Sequence, residues 1–112
     1  SKWEAHEEID PLSKIVKEIN ERYGTNFNSD DRVILNDLSE RLVGNADLSG
    51  TIRANSKDNA KIKFDHLFND ELVRMLNSHF ELYKKLDENP ELRRFVNDRI
   101  FEHVRERVQE KM

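Results

Sequence analysis

The side chains able to do chemistry are four histidines and 23 acids, with no cysteine to add a thiolate nucleophile, a soft metal ligand or a disulfide. Zinc hydrolases place two histidines four apart on a helix with a glutamate between them, and no pair among His6, His66, His79 and His103 has that spacing. His6-Glu7-Glu8 would need ligands from elsewhere in the chain to hold a metal, so its ordinary reading is a solvated arm. His66 precedes Asp70 by four residues, which permits an ion pair or hydrogen bond along one helix face. General acid–base work would also need a nucleophile or a substrate pocket, and the sequence marks neither, so structural pairing is expected. His79 stands in an apolar row between Met75 and Leu82, where a neutral imidazole buried at a helix interface is expected. Asp30-Asp31 is explained by the positive end of a helix dipole rather than by catalysis. Gly24, Gly44 and Gly50 are isolated and form no phosphate-cradling loop. No catalytic, cofactor-binding or metal-ligating residue is therefore expected.

Charge at the C-terminal end is the most ordered pattern in the chain. Asp98, Glu102, Glu106 and Glu110 recur every four residues, and Arg99, His103, Arg107 and Lys111 repeat the interval one position later. A solvent-facing helix laced with weak ion pairs, each worth about a few tenths of a kcal/mol, accounts for these two rows. The functional counterpart is a face for a charged partner, with Arg93, Arg94, Arg99 and Arg105 as candidate anchors.

The elements that must carry these residues are read from caps and apolar spacing. Residues 1–9, with Trp3 and Ile9 among Glu4, Glu7 and Glu8, have no period and read as an entering arm. Asp10-Pro11 opens a first helix, Leu12, Ile15, Val16, Ile19 and Tyr23 give it one face, and Gly24 ends it. After the connector Thr25-Asn26-Phe27, Asn28 or Ser29 caps a second helix with Ile34, Leu35, Leu38, Leu42 and Val43 inside, closed by Gly44-Asn45. A short helical piece over 46–54 points Leu48 and Ile52 inward. Asn55-Ser56 then starts the longest helix, over 57–87, in which Phe64, Phe68, Leu72, Met75, His79, Leu82 and Leu86 line one face and Leu67, Leu76, Phe80 and Tyr83 widen it. Asn89-Pro90 opens a last helix that buries Leu92, Phe95, Val96, Ile100, Val104 and Val108. The expectation is an all-α bundle of four main helices plus one short segment, mostly antiparallel in sequence order, with 10–112 as a single domain.

Composition narrows the classes further. Charged residues make up 38% of the 112, but they alternate with apolar ones instead of forming blocks, which favours amphipathic helices over disorder. A net charge of -4 argues against a domain that holds nucleic acid by its overall field. The longest aliphatic run, Val33-Ile34-Leu35, is far short of the ~20 residues needed to cross a bilayer, so no membrane span is expected. The lack of cysteine fits a reducing compartment, and a start at Ser1 rather than Met fits an excised piece of a larger protein.

Three segments together resemble one family. Asp10-Pro-Leu-Ser-Lys-Ile-Val-Lys-Glu-Ile-Asn-Glu-Arg-Tyr-Gly-Thr-Asn-Phe27, followed by Asp31-Arg32 and the apolar helix to Leu42, is similar to a stretch near the end of the restriction (R) subunits of type I restriction-modification enzymes. Val43-Gly-Asn-Ala-Asp-Leu48 with Ala54-Asn-Ser56, and the run from Phe64 to Met75, resemble the segments that come next in that family. The likeness covers most of 10–105. It implies the C-terminal helical region of a cytoplasmic ATP-dependent DNA translocase and endonuclease, whose ATP and Mg2+ belong to motor and nuclease domains absent from this sequence. By the same resemblance the region docks the R subunit on the methyltransferase core of modification and specificity subunits, has no activity of its own and takes no cofactor or small-molecule substrate. An accessory DNA-backbone contact through Lys57, Lys61 and Lys63 or the last helix's arginines is the alternative, and an independent enzyme would need a pocket of converging ionisable groups.

Overall fold

The computed structural model describes residues 10–112; the expected arm of residues 1–9, with Trp3 and His6-Glu7-Glu8, lies outside the described residues. Six helices succeed one another: α1 Pro11–Tyr23, α2 Ser29–Val43, α3 Ala46–Arg53, α4 Lys57–Ser78, α5 Phe80–Asp87 and α6 Pro90–Glu110. No strand occurs among the described residues, and the chain is an all-α bundle.

Local chemistry sets most of the boundaries. The Asp10 carboxylate accepts from Leu12 N at 3.0 Å and from Ser13 Oγ at 3.1 Å, while Pro11 at the first position forfeits no helical hydrogen bond. At the other end of α1, Gly24 takes φ +62, a left-handed conformation that a side chain would strain. A reciprocal box starts α2: Asp31 N donates to Asn28 Oδ1 at 2.9 Å, and Asn28 N donates to Asp31 Oδ2 at 3.0 Å. Asn45 caps α3 through Leu48 N at 2.9 Å, and Asn89 caps α6 through Glu91 N at 3.0 Å.

One boundary departs from the sequence reading. The expected helix over 57–87 is two helices, broken at His79, whose backbone lies at φ -141, ψ 61. A straight helix of that span would run about 46 Å at 1.5 Å per residue, whereas the folded chain extends 37 Å along its longest axes. The break turns α5 back so that Leu82 and Leu86 enter the core. Three placements are overturned: His79 and Phe80, at and just past the break, and Leu76, by its phase on α4, were expected inside and are exposed.

α6 buries Leu92, Val96, Ile100, Val104 and Val108 as expected; beyond the expectation it also buries Phe101 and His103 and touches all five other helices. Around it, the Phe64 ring lies 5.2 Å from Phe101 and 5.7 Å from Phe68, centroid to centroid. Phe27, read as a connector residue, is buried with the core. Each such aromatic contributes roughly 2–3 kcal/mol by leaving water.

Candidate interaction surfaces

The four arginines singled out as anchors do not share a face. Arg93 donates to Asn69 Oδ1 at 2.8 Å and reaches Asp87 at 3.5 Å. Arg99 turns to Glu18 of α1, with Nε 3.0 Å from Oε1. Arg105 stays on its own helix, 3.4 Å from Glu102, with its Nε buried and unpartnered. Arg94 is exposed and makes no hydrogen bond or ion pair among the described residues. At 3.6 residues per turn, Arg99 lies roughly 120° around α6 from Arg93. Part of the opposite-sign rows is thus turned toward neighbouring helices: Arg107 grips both oxygens of Glu40 at 2.9 Å, Lys57 meets Glu102 at 3.4 Å, and Lys61 meets Asp98 at 3.1 Å, while Glu106, Glu110 and Lys111 are exposed.

The lysines considered for DNA backbone contact are held by acids as well. Lys61 also binds Asp65 at 2.7 Å, and Lys63 spans to Asp47 of α3 at 2.8 Å. Burial works to lower the Lys61 ammonium, but the hydrogen bonds to Asp65 and Asp98 outweigh it and the net shift is upward. Cations held this way have little left to offer a phosphate.

Two buried acids, Glu71, unmarked in the sequence, and Asp31, read there only as a dipole partner, are tied across helices. Glu71 lies on the inward side of α4, where Arg41 of α2 donates to it twice, at 2.8 and 3.3 Å, and Arg74 stands at 3.6 Å. That hydrogen bond, opposed by burial and helped by the Glu71 and Asp37 charges, raises the Arg41 guanidinium above its ordinary pKa. Asp31 serves beyond the helix dipole: Lys85 of α5 donates to it at 2.6 Å and to Asn26 O at 3.3 Å, fastening the α1–α2 connector to α5.

The histidines separate. His66 and Asp70 are both exposed and no bond joins them, so the expected pairing does not form. His103 is buried with Nε2 unpartnered. Burial, then the nearby Arg107, lowers its imidazole's pKa, against the opposing pull of Glu40, Glu106 and Glu110. No group of three or more histidine or carboxylate side chains converges among the described residues. An open cleft of about 720 Å³ beside Asp10 and Asn28 is lined by groups already engaged with each other, such as Asp10 with Arg32 at 3.3 Å. A second, of about 530 Å³ between α4 and α6, holds the Lys61, Asp65, Asp98 and Arg93 network with Arg94 at its edge.

What the sequence reading missed is apolar. Ile62, Val73 and Leu76 are 59%, 56% and 44% exposed, and Phe80, just past the break, is 50% exposed. The first three fall within about 60° of one another on α4, roughly opposite the buried Phe64, Phe68 and Met75. The signal was their helical phase relative to Phe64 and Phe68. Spacing alone hides it, because a second series of threes and fours reads like the first. No helix among the described residues is long and apolar enough to cross a membrane.

No protein-family model, curated protein or solved structure matches the chain. The class that the fold defines is an all-α bundle with several ion pairs between helices and an exposed apolar line on α4.

Proposed function

We propose that this chain is a non-catalytic assembly module, akin to the C-terminal helical region of a type I restriction R subunit, that docks a cytoplasmic ATP-dependent DNA translocase and endonuclease on its methyltransferase core. The observation that carries the assembly part is the alignment of the exposed Ile62, Val73 and Leu76 along α4, with the exposed Phe80 just past its end. Scattered exposed apolar residues are ordinary on soluble proteins, but large ones aligned along a single helix mark contact surfaces. The charged groups give complementary support: Glu71, Asp31 and Glu40 each brace one helix against another. The particular parent rests on the resemblance of residues 10–105.

The test is a pull-down of the modification and specificity subunits by the parent R subunit with and without residues 10–112. Loss of docking on deletion, with retention by the chain itself, is the expected result. Full assembly by the truncated subunit together with no binding by the chain removes the reading.

A further inference from the structure

We infer that the outer face of α4 receives an amphipathic helix with basic margins, contributed by a partner protein. This deepens the assembly reading by naming the surface and the chemistry of what covers it. Ile62 to Leu76 spans about 21 Å at 1.5 Å per residue, enough for roughly four turns of a facing helix. Between these apolar residues stands the uncharged Asn69, and Asn77 follows Leu76.

The margins identify the occupant. Asp58 and Asp65 border one side and Asp70 the other, and Asp58 and Asp70 make no ion pair or hydrogen bond among the described residues. Lys61 pairs with Asp65 and Asp98, so Asp58 and Asp70 are the open acids of the margins; Lys63 is held by Asp47, and Arg74, though exposed, leans toward Glu71 at 3.6 Å. At the far end, Lys84 sits 5.1 Å over the Phe80 ring and is paired with Glu81 at 3.2 Å. The surface is therefore apolar along its middle and negative along its edges. A second copy of this chain would set aspartates against aspartates, and a nucleic acid or an anionic membrane would meet the same repulsion. The chain's own first nine residues carry Glu4, Glu7 and Glu8 against Lys2, again the wrong sign. A helix with leucine-like residues at positions i, i+4, i+7 and i+11, flanked by lysine or arginine, satisfies both the apolar line and its margins.

Two designed helical peptides test this, with leucines at those positions and either lysines or glutamates on the flanks. They are titrated into the chain by fluorescence anisotropy at low and high salt. The lysine peptide is expected to bind at least about tenfold more tightly than the glutamate peptide at low ionic strength, with the ratio shrinking as salt screens the margins. Val73→Ser with Leu76→Ser should weaken it by more than about tenfold, and circular dichroism checks that the helices persist. Asp58→Lys with Asp70→Lys should reverse the preference between the two peptides. No saturable binding, equal binding of both peptides, or indifference to the serine variants overturns the inference. So does dimerisation of the wild-type chain in sedimentation that the serine variants abolish, since a second copy would then be the occupant. In the parent R subunit, normal docking by the serine variant would sink this surface while leaving the assembly reading intact. Normal docking after deletion of the whole chain sinks the assembly reading instead.

Discussion

Arg41→Met should destabilise the chain by about 1–2 kcal/mol, chiefly through the buried carboxylate that the change leaves behind. The Glu71 side chain is only 9% exposed, and its strongest partner is Arg41, at 2.8 and 3.3 Å. Removing one member of a fully buried pair costs about 3–5 kcal/mol, because the other charge is left in a poor solvent. Arg41 is half exposed and Arg74 remains at 3.6 Å, so solvent and the second guanidinium recover part of that loss. The reverse change behaves differently. Glu71→Met removes the awkward charge from the inward side of α4 and returns Arg41 to water, so it should lie within about 1 kcal/mol of wild type. The double variant should then resemble Glu71→Met alone, giving a coupling of about 1–2 kcal/mol between the sites. Urea unfolding monitored at 222 nm by far-ultraviolet circular dichroism measures all four proteins. With a slope of about 2 kcal/mol/M, Arg41→Met should shift the midpoint down by roughly 0.5–1 M. Losses that are equal for the two single variants and additive in the double would refute the argument.

Acidification should weaken the fold through His103. Its folded pKa lies below the ordinary 6.5, so the unfolded chain binds the proton more readily. The contribution is complete above the unfolded value and is lost as pH falls toward the folded one. Urea midpoints at about pH 7.5 and about pH 5.5 should diverge more in wild type than in His103→Asn, and equal pH dependence would remove the assignment. Lys85→Met should lower stability by about 1 kcal/mol, because Asp31 keeps its helix-cap bonds but loses its 2.6 Å cation; a midpoint equal to wild type would show that this contact is inconsequential. Phe101→Ala, at the junction of α6 with Phe64, should cost about 3–5 kcal/mol in the same unfolding assay, and a loss under about 1 kcal/mol would mean that the core refills the space.

Legibility in the sequence depended on how local each feature is. Asp10-Pro11 and Asn89-Pro90 are caps whose chemistry is complete within a few residues, so those helix starts could be read directly, whereas Asn28 and Ser29 stayed alternatives that the box with Asp31 decides. The break at His79 could not be read. No Pro or Gly marks it, and the misfit of a straight helix over 57–87 with a bundle 37 Å across is a constraint that no local window contains. Leu76 was placed inside because it continues the apolar spacing, although its phase on α4 turns it away from the buried Phe64 and Phe68; Phe80 lies past the break, where the turn in the backbone decides which way it faces. The pairs Arg99 with Glu18 and Arg107 with Glu40 join residues far apart in the chain, so one sequence could show the charged rows but not where they point. Glu71 was hidden for a similar reason: its burial is tolerable only because an arginine from α2 reaches it.

The same geometry decides where a docking surface can be probed without unfolding the bundle. Arg93, Arg99 and Arg105 each hold another side chain of the fold, so truncating them would perturb helix contacts along with any partner contact. Arg94 is free of that ambiguity but stands alone, and one exposed guanidinium without desolvated neighbours contributes little to a complex. The outer face of α4 has the opposite character. Val73 and Leu76 are already about half in water, so replacing them with serine removes little buried area from the folded chain. A binding loss at those positions, with an unchanged unfolding midpoint, would have to come from the complex. Parallel loss of binding and stability would instead mean that this face supports the fold.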